Sequence, residues 1–187
     1  MQEFETRVMD IDVDKIRELC TKVGAINVKK ENQVNDIYDF ADRRLLDKKG
    51  YARIRTVEDM INNKTVYFMT TKKMLSQGKF KVMEENETII ENGEMGTKIF
   101  ESLGLELQES IKKYRESYKY KNSLIEIDIN DKNFCPFPYI EIETTCEEEL
   151  NEVLEFLGYT PEDTTSKTIY QILKERGFTP NAKGKGL

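Results

Sequence analysis

The sequence contains no histidine and only three cysteines, which are Cys20, Cys135 and Cys146. Without histidine, a serine–histidine triad, a histidine metal ligand and a histidine general base are all excluded. The cysteines form no CxxC pair, so neither a disulfide framework nor a zinc site is expected. Any metal site must therefore use oxygen ligands, which favours Mg²⁺, Mn²⁺ or Ca²⁺.

Long apolar runs are also absent. No stretch approaches the roughly 18 residues that a membrane span needs, and no basic-then-apolar signal precedes the first strand pattern, so we expect a cytoplasmic protein without a membrane partner. The net charge of −6 argues against a general binder of nucleic-acid polymers, although it is compatible with a local basic pocket. The length of 187 residues suits a single domain, which we expect over residues 1–178, with a disordered tail over 179–187.

What is present instead is charge arranged in strand alternation. Segments that mix β-branched or aromatic residues with charges at a period of two lie at about 2–9, 33–40, 51–57, 64–73, 79–90, 108–121, 123–130 and 138–145. Amphipathic helices are predicted at about 12–23, 94–103, 146–157 and 166–176. Many strands with few helices predict a mainly-β α+β fold, with a largely antiparallel sheet that curls or closes.

Two acidic strands lie far apart in the chain. Glu3 and Glu5 share one face of the first predicted strand, and Glu141 and Glu143 share one face of the last, because side chains alternate between the faces of a strand. Adjacent carboxylates on one face cost stability unless a cation or a basic partner neutralises them. Arg7, on the same face as Glu3 and Glu5, supplies one such positive charge.

The intervening strands carry same-face charges of a single sign. The basic positions are Arg53 with Arg55, Lys72 beside Thr70, and Lys113 with Arg115, and the acidic positions are Glu85 with Glu87 and Glu126 with Asp128. If these faces point outward, they form a solvated surface whose ion pairs are worth about 0–1 kcal/mol each. If they point inward, they line a lumen that needs a polyanion and metal ions for neutrality. The apolar opposite faces and the amphipathic helices favour the inward arrangement, with the hydrophobic core between barrel and helices.

Together these motifs resemble the CYTH, or triphosphate tunnel metalloenzyme, superfamily, which includes class IV adenylate cyclases, thiamine triphosphatases and inorganic triphosphatases. Glu3-Phe-Glu-Thr-Arg7 is similar to the family's ExExK strand, with arginine in place of lysine. The RxR, TxK and KxR strands and the last acidic strands follow in family order over about residues 2–173. Met83-Glu-Glu-Asn-Glu87 lacks the arginine of the usual RxExE strand. The resemblance implies an eight-stranded antiparallel closed β-barrel that holds a triphosphate, with helices packed outside.

The resemblance also implies roles for individual residues. The metal ligands for Mg²⁺ or Mn²⁺ would be Glu3, Glu5, Glu141 and Glu143, the phosphate-binding residues Arg53, Arg55, Lys72, Lys113 and Arg115, and the catalytic residues Arg7 and Asp128, with Asp128 orienting water or a metal. Arginine suits phosphate because its planar fork makes bidentate contacts, and lysine acts as a compact point charge. The resemblance alone suggests a homodimer.

Three functions remain open at this point. The leading hypothesis is metal-dependent hydrolysis of the terminal phosphate of a small triphosphate, such as tripolyphosphate, ATP or thiamine triphosphate. The second is conversion of ATP to cyclic AMP and pyrophosphate, and the third is non-catalytic binding of a polyphosphate or nucleotide. The triphosphate-binding residues are common to these functions, so they do not choose between them.

Overall fold

The computed structural model describes residues 4–77 and 81–178. The strands are β1 (Phe4–Met9), β2 (Ile26–Asp39), β3 (Gly50–Asp59), β4 (Lys64–Gln77), β5 (Lys81–Ile90), β6 (Glu106–Tyr120), β7 (Ser123–Asn130), β8 (Tyr139–Thr144) and β9 (Thr164–Thr165). The helices are α1 (Val13–Lys22), α2 (Arg44–Asp47), α3 (Gly93–Ser102), α4 (Glu147–Leu157) and α5 (Ile169–Glu175). Glu3 and the predicted disordered tail at 179–187 lie outside the described residues.

All nine strands of the described ranges form one antiparallel sheet, in the order β5-β4-β3-β2-β6-β7-β8-β1-β9. Consecutive strands are neighbours along most of this order, as hairpin connections produce. The prediction of a mainly-β α+β fold with an antiparallel sheet and few helices is therefore confirmed.

The prediction of eight strands in a closed barrel is corrected in two respects. A ninth strand, β9, pairs with Arg7 and Val8 of β1. In the described part of the chain, β1 meets β5 at a single residue pair, Glu5 with Lys81, so the sheet curls round on itself without a continuous hydrogen-bonded ladder to close it. The physical reason is the short overlap of the two strands: in this antiparallel register, further pairs along β5 would fall on Phe4 and then on residues 1–3, which lie outside the described residues, while Arg7 and Val8 are paired with β9.

The second strand is longer than its sequence pattern predicts. β2 begins at Ile26, whereas alternation predicts a start near residue 33, because the segment from Ile26 to Lys30 is largely exposed and carries no apolar face. Its backbone is held by pairing with β6, from Ile26 opposite Lys119 onward. Tertiary pairing here outweighs local pattern.

The hydrophobic core lies between the sheet and the helices, as predicted. α1 and α4 cover one part of the outer face of the sheet, in a cluster of buried residues made of Val8, Ile11, Ile16, Cys20, Tyr118, Ile125, Ile127, Ile140, Ile142, Leu150, Val153, Leu154 and Leu157. α3 covers another part through Phe100, which packs with Tyr38, Ala52 and Ile54. Because the apolar faces of the strands are used in this way, their charged faces are left to line the inside of the curled sheet.

The helix α5 packs at one end of the curled sheet. Its Leu173 is fully buried against Phe134, Cys135 and Tyr139, with Met9 partly buried beside them. Tyr139 and Met9 belong to the charged faces of β8 and β1, so α5 covers an opening of the interior. Among the helices of the described residues, none combines the length and the apolar character that crossing a membrane would require.

Candidate functional site

The register of the strands brings the predicted charges into rows across the inner face. Arg115 on β6 lies opposite Asp128 on β7, and Glu126 on β7 lies opposite Glu141 on β8. Glu141 in turn lies opposite Arg7 on β1. Residues that are up to 134 positions apart in sequence therefore become cross-strand neighbours.

Arg115 is the centre of a buried ion network. Its Nε and Nη2 atoms each lie 2.6 Å from an oxygen of Asp128, in a bidentate pair. Nη2 also donates to Glu141 Oε2 at 2.7 Å, and Nη1 contacts Glu126. All four side chains are buried. Burial by itself lowers the pKa of Arg115, but the surrounding carboxylates outweigh it and raise that pKa, so the guanidinium stays charged.

Arg7 makes a second set of contacts beside this network. Its Nη2 donates to Glu5 Oε1 at 2.5 Å and contacts Glu141, while Nη1 donates to the carbonyl oxygen of Lys167 at 2.9 Å. The buried Nε atom of Arg7 has no hydrogen-bond partner within the described residues. Arg7 thus links the acidic strands to the segment between β9 and α5, and its Nε–H group remains available to donate to a ligand.

The carboxylates of this region differ in their protonation behaviour. Burial, followed by the charges of Glu126 and Glu141, raises the pKa of Glu143 to about 7. For Asp128, burial also favours the neutral acid, but the Coulomb attraction of Arg115 and Lys113 is larger, and the pKa falls below its ordinary value. Crowded carboxylates therefore surround Glu143 without full compensation, whereas Asp128 is an ionised partner of two cations.

A second wall of the interior is formed by β3, β4 and β5. Arg53 Nη2 lies 3.3 Å from both Thr70 Oγ1 and Glu87 Oε2, and Arg55 Nη2 donates to Glu87 at 2.6 Å. Lys72 forms an ion pair with Glu85 at 2.8 Å. The Nε atoms of Arg53 and Arg55 are buried and lack a partner among the residues described. The basic residues predicted from the RxR and TxK motifs thus lie together on one side.

The two walls act on each other across the interior. Burial lowers the pKa of Lys72, but the fields of Tyr51, Glu85 and Glu5 outweigh burial and raise it. Glu5 belongs to β1 and Lys72 to β4, so the acidic and basic motifs share one space. Lys113 completes the basic set through an ion pair of 2.9 Å with Asp128. Every predicted site residue that the structure describes thus faces the same interior.

Three of the four predicted metal ligands lie within the described residues, and their role as ligands stays a prediction. Glu5, Glu141 and Glu143 come together on neighbouring strands, with Glu143 directly opposite Glu5, while Glu3 lies outside the described residues. Within those residues, no three histidine, cysteine, aspartate or glutamate side chains are arranged to hold a metal ion. Instead, Arg7 contacts Glu5 and Glu141. The donor set still suits a hard cation, because oxygen ligands and the uncompensated crowding at Glu143 both favour one.

Sequence reasoning missed several polar residues on the inner face. Gln33 and Asn35 of β2 and Asn130 of β7 are buried and share the inner face with the charged residues. One signal was available, because Asn130 has the same parity as Asp128. The face of Gln33 and Asn35 follows only from the strand register, in which Ile37 on the same face lies opposite Arg53. Glu85 and Glu87, noted only as a same-face pair, are the carboxylate partners of the basic wall.

Comparisons with known proteins agree with this architecture. The family model described as the CYTH domain matches residues 1–169, so the chain belongs to the CYTH domain family. A protein of Methanocaldococcus jannaschii named "Putative adenylate cyclase" is 28% identical over 181 residues, which are 92% of this chain and 98% of that protein.

Solved structures show the same fold. A Pyrococcus horikoshii protein superposes with a TM-score of 0.75 at 23% identity, over 93% of this chain and 99% of the other. A Hippeastrum protein described as a "putative adenylyl cyclase" with a dominant triphosphatase activity superposes with a TM-score of 0.68 at 17% identity, over 98% of this chain and 99% of the other. The chain is therefore similar along nearly its whole length to CYTH-like proteins.

Proposed function

We propose that the protein is a divalent-metal-dependent enzyme that binds a triphosphate on the inner face of its curled sheet and hydrolyses the terminal phosphate. The observation that carries this proposal is the set of unused buried donors: the Nε atoms of Arg7, Arg53 and Arg55 have no partner among the described residues. Buried donors on cations are costly unless a ligand accepts from them, and phosphate oxygens are good acceptors. Lys72, Lys113 and Arg115 line the same interior and would grip further phosphate oxygens.

Metal binding would fall to the acidic strands. Glu5, Glu141 and Glu143, with Glu3 as the fourth predicted ligand, would hold Mg²⁺ or Mn²⁺, which neutralises phosphate charge and polarises the phosphorus centre when bound. The carboxylates that hold the metal are then the ones that Arg7 contacts in the structure. Burial lowers the pKa of Arg7, but the carboxylates of Glu141 and Glu5 outweigh burial and raise it. We therefore infer that Arg7 stays charged and contributes positive charge rather than accepting a proton.

Asp128 is better placed as a positioning residue than as a group that touches substrate. Its oxygens are fully buried and accept hydrogen bonds from Arg115 and Lys113. By fixing both cations it would orient their remaining donors toward the phosphates. This refines the sequence-based role, in which Asp128 orients water or a metal.

The second candidate is cyclisation of ATP to cyclic AMP with release of pyrophosphate. It is favoured by the name of the Methanocaldococcus jannaschii relative, "Putative adenylate cyclase". That relative is 28% identical to this chain, whereas the Hippeastrum protein is 17% identical. The Hippeastrum structure, described with a dominant triphosphatase activity, supports hydrolysis as the leading function. Both reactions need the same contacts to the triphosphate, so only identification of the reaction product distinguishes hydrolysis from cyclisation.

One assay separates the candidates. Purified protein is incubated with tripolyphosphate, ATP or thiamine triphosphate in the presence of Mg²⁺ or Mn²⁺, and orthophosphate, pyrophosphate and cyclic AMP are measured. Orthophosphate supports the triphosphatase, cyclic AMP with pyrophosphate supports the cyclase, and binding without turnover leaves a non-catalytic binding protein.

The Glu141→Gln variant tests the assigned site in the same assay. It keeps the size of the side chain but removes a carboxylate shared by Arg7 and Arg115, and we expect turnover to fall by about 100-fold or more, as for removal of other groups that stabilise transition-state charge. Glu58→Gln, at an exposed position of β3, is the matched control and should retain activity. Unchanged turnover in Glu141→Gln would exclude the proposed metal site.

A further inference from the structure

Three polar side chains, those of Gln33, Lys113 and Asn130, form a row across the inner face. The proposed phosphate contacts use Lys113 but leave the two amides without an assigned role. Gln33 on β2 lies directly opposite Lys113 on β6, and Lys113 lies directly opposite Asn130 on β7. Only 2% of Gln33 and 7% of Asn130 is exposed. The two amides therefore flank a predicted phosphate-binding lysine on both sides.

The orientation of the Gln33 amide follows from its neighbour. Gln33 Nε2 donates to Glu31 Oε2 at 2.6 Å, and turning the amide over would place an oxygen against a carboxylate oxygen. The amide oxygen Oε1 must then be the atom that faces away from Glu31. This oxygen is buried and finds no donor among the described residues.

Asn130 presents the complementary group. Its Nδ2 atom is buried and carries two hydrogens, of which at most one is directed at the Tyr139 hydroxyl. Burial raises the pKa of Tyr139, and a hydrogen bond from the Asn130 side chain partly opposes that rise. The row thus offers an acceptor without a partner on Gln33 and, on Asn130, an amide donor that is shared with Tyr139.

The chemistry of a phosphate chain satisfies only part of this row. A buried polar group without a partner is costly, so such groups in a native protein call for a ligand or water. Above about pH 7.5 a triphosphate chain is ionised and carries acceptor oxygens only, since phosphate loses its last proton near pH 6. It can accept from Asn130 Nδ2 and from Lys113, but it has no hydrogen to give to Gln33 Oε1.

We propose that Gln33 recognises the organic group of a triphosphate monoester, with its Oε1 atom accepting a hydrogen bond from an amine or hydroxyl of that group. The inference rests on the proposed function and specifies its substrate class: a triphosphate joined to a donor-bearing organic group, such as a nucleoside, is preferred over inorganic tripolyphosphate. The donor can come from the exocyclic amine of a base or from a ribose hydroxyl, and the experiment distinguishes these sources.

The test compares two ligands that differ only in the organic group. Methylene-bridged ATP and methylene-bridged tripolyphosphate resist hydrolysis and have no hydrogen-bond donor in the phosphate chain, and their dissociation constants are measured by calorimetry with Mg²⁺. In Gln33→Met we expect the ATP analogue to bind about tenfold more weakly and the tripolyphosphate analogue to change by less than about twofold, because one lost hydrogen bond is worth about 1.4 kcal/mol. Asn32→Met is the matched control, since Asn32 is adjacent on β2 but points to the outer face, where it bonds Glu58.

Analogues then locate the donor. ATP analogues that lack the 6-amino group, the 2′-hydroxyl or the 3′-hydroxyl are titrated against wild type and Gln33→Met. The analogue that binds both proteins equally identifies the group that contacts Gln33. Gln33→Leu provides a second variant that lacks the acceptor, with the same expected loss of selectivity, so the test does not depend on one substitution that fails to fold.

The outcomes are separable. Equal weakening of both ligands in Gln33→Met, or no change for either, would overturn the recognition role while leaving triphosphate binding intact. If wild type binds neither ligand, the proposed function itself fails, and the recognition role falls with it.

Discussion

At the scale of single residues, Arg7 shows why arginine and lysine are not equivalent in this site. Its guanidinium reaches Glu5, Glu141 and the carbonyl of Lys167 from one position. A lysine ammonium is a point charge on a flexible stem and lacks the planar fork that spans such a set. The arginine that departs from the family's ExExK strand therefore ties the acidic strands to the segment that leads into α5.

Substitution of Arg7 separates charge from geometry. In Arg7→Lys the positive charge stays but one of the contacts is lost, so we expect the free energy of unfolding to fall by about 1–3 kcal/mol. In Arg7→Met the carboxylates of Glu5 and Glu141 lose their shared partner, and the loss should reach about 3–5 kcal/mol. Urea denaturation measures both, with Arg44→Lys as the control at an exposed position. Equal stability of the lysine and methionine variants would show that the charge of Arg7 is immaterial.

The raised pKa of Glu143 predicts a pH-dependent exchange of a proton for a metal. The pKa is about 7 in the folded protein against an ordinary value of 4.5, so the folded state holds a proton that the unfolded state has already released. The stability that this proton contributes is fully present below about pH 4.5 and is lost as the pH rises to about 7. A metal ion binds the ionised form, so its binding below pH 7 must displace the proton.

Proton release on metal binding measures this exchange. Calorimetric titration of Mg²⁺ or Mn²⁺ in two buffers with different ionisation enthalpies should show close to one proton released at about pH 6 and almost none at about pH 8.5. The release at low pH should disappear in Glu143→Gln and persist in the exposed Glu58→Gln control. Identical release at both pH values would contradict the assignment.

At the scale of secondary-structure elements, one buried carboxylate ties a helix to the outer face of the sheet. Glu116 of β6 accepts hydrogen bonds from Arg17 of α1 at 3.0 and 2.9 Å and from the hydroxyls of Tyr114 and Tyr118. These residues lie on the face opposite to Arg115 and Lys113. We therefore expect them to hold α1 in place without a role in phosphate binding.

Glu116→Gln tests that separation. The amide keeps the shape of the side chain but loses the charge that Arg17 pairs with. We expect the free energy of unfolding to fall by about 1–2 kcal/mol. This is at the lower end for a charge-assisted hydrogen bond, because Arg17 is partly exposed and solvent screens the pair. Turnover at a temperature well below the unfolding midpoint should remain at the wild-type level. A large loss of turnover in a fully folded variant would show that the outer face influences the site.

Elements with a strong period of two could be predicted from the sequence, and others could not. Same-face pairs such as Arg53 with Arg55 and Glu141 with Glu143 fix both the strand and its charged side, and the inner face follows once the opposite side is apolar. β9 spans only Thr164–Thr165, which is too short for any period to show. Its pairing with Arg7 and Val8 of β1 depends on tertiary contacts that leave no local signal.

The helix α2 was missed for a related reason. It is a single turn, Arg44–Asp47, and its backbone N–H groups at Leu45 and Leu46 are satisfied by the carboxylate of Asp39 at 3.0 and 2.9 Å. The capping residue lies several positions before the helix, at the end of β2, rather than at the usual capping position. Pattern matching over a short window does not include such a partner.

At the scale of the whole molecule, the sheet places its charged face inside and its apolar face outside, under the helices. A globular domain usually places charged side chains outside and apolar ones inside. The apolar faces of the strands are covered by α1, α3 and α4, while the inner face concentrates charges of both signs. The predicted metal ligands on β1 and β8 form its acidic wall, and Arg53, Arg55 and Lys72 on β3 and β4 form its basic wall. A metal cation beside the acidic wall and a polyanion beside the basic wall would each complete a set of charges that the protein alone leaves crowded. We therefore expect metal and triphosphate to stabilise the fold together.

Thermal unfolding measures this coupling. At a concentration of about 100 times the dissociation constant, a ligand that binds only the folded state stabilises it by about 2.7 kcal/mol, which corresponds to a rise in Tm of about 5–10 °C for a domain of this size. We expect Mg²⁺ with methylene-bridged ATP to reach that range, because each ligand relieves the repulsion that the other would meet, and either ligand alone to give a clearly smaller rise.

The basic wall supplies the control. In the double variant Arg53→Met with Arg55→Met, two buried cations with unused Nε donors are removed, and the rise that needs both ligands should be lost while the response to Mg²⁺ alone persists. Persistence of the full rise in this variant would mean that the phosphates bind elsewhere. A full rise with Mg²⁺ alone would mean that the acidic wall works independently of any triphosphate, and the two walls would then not form one site.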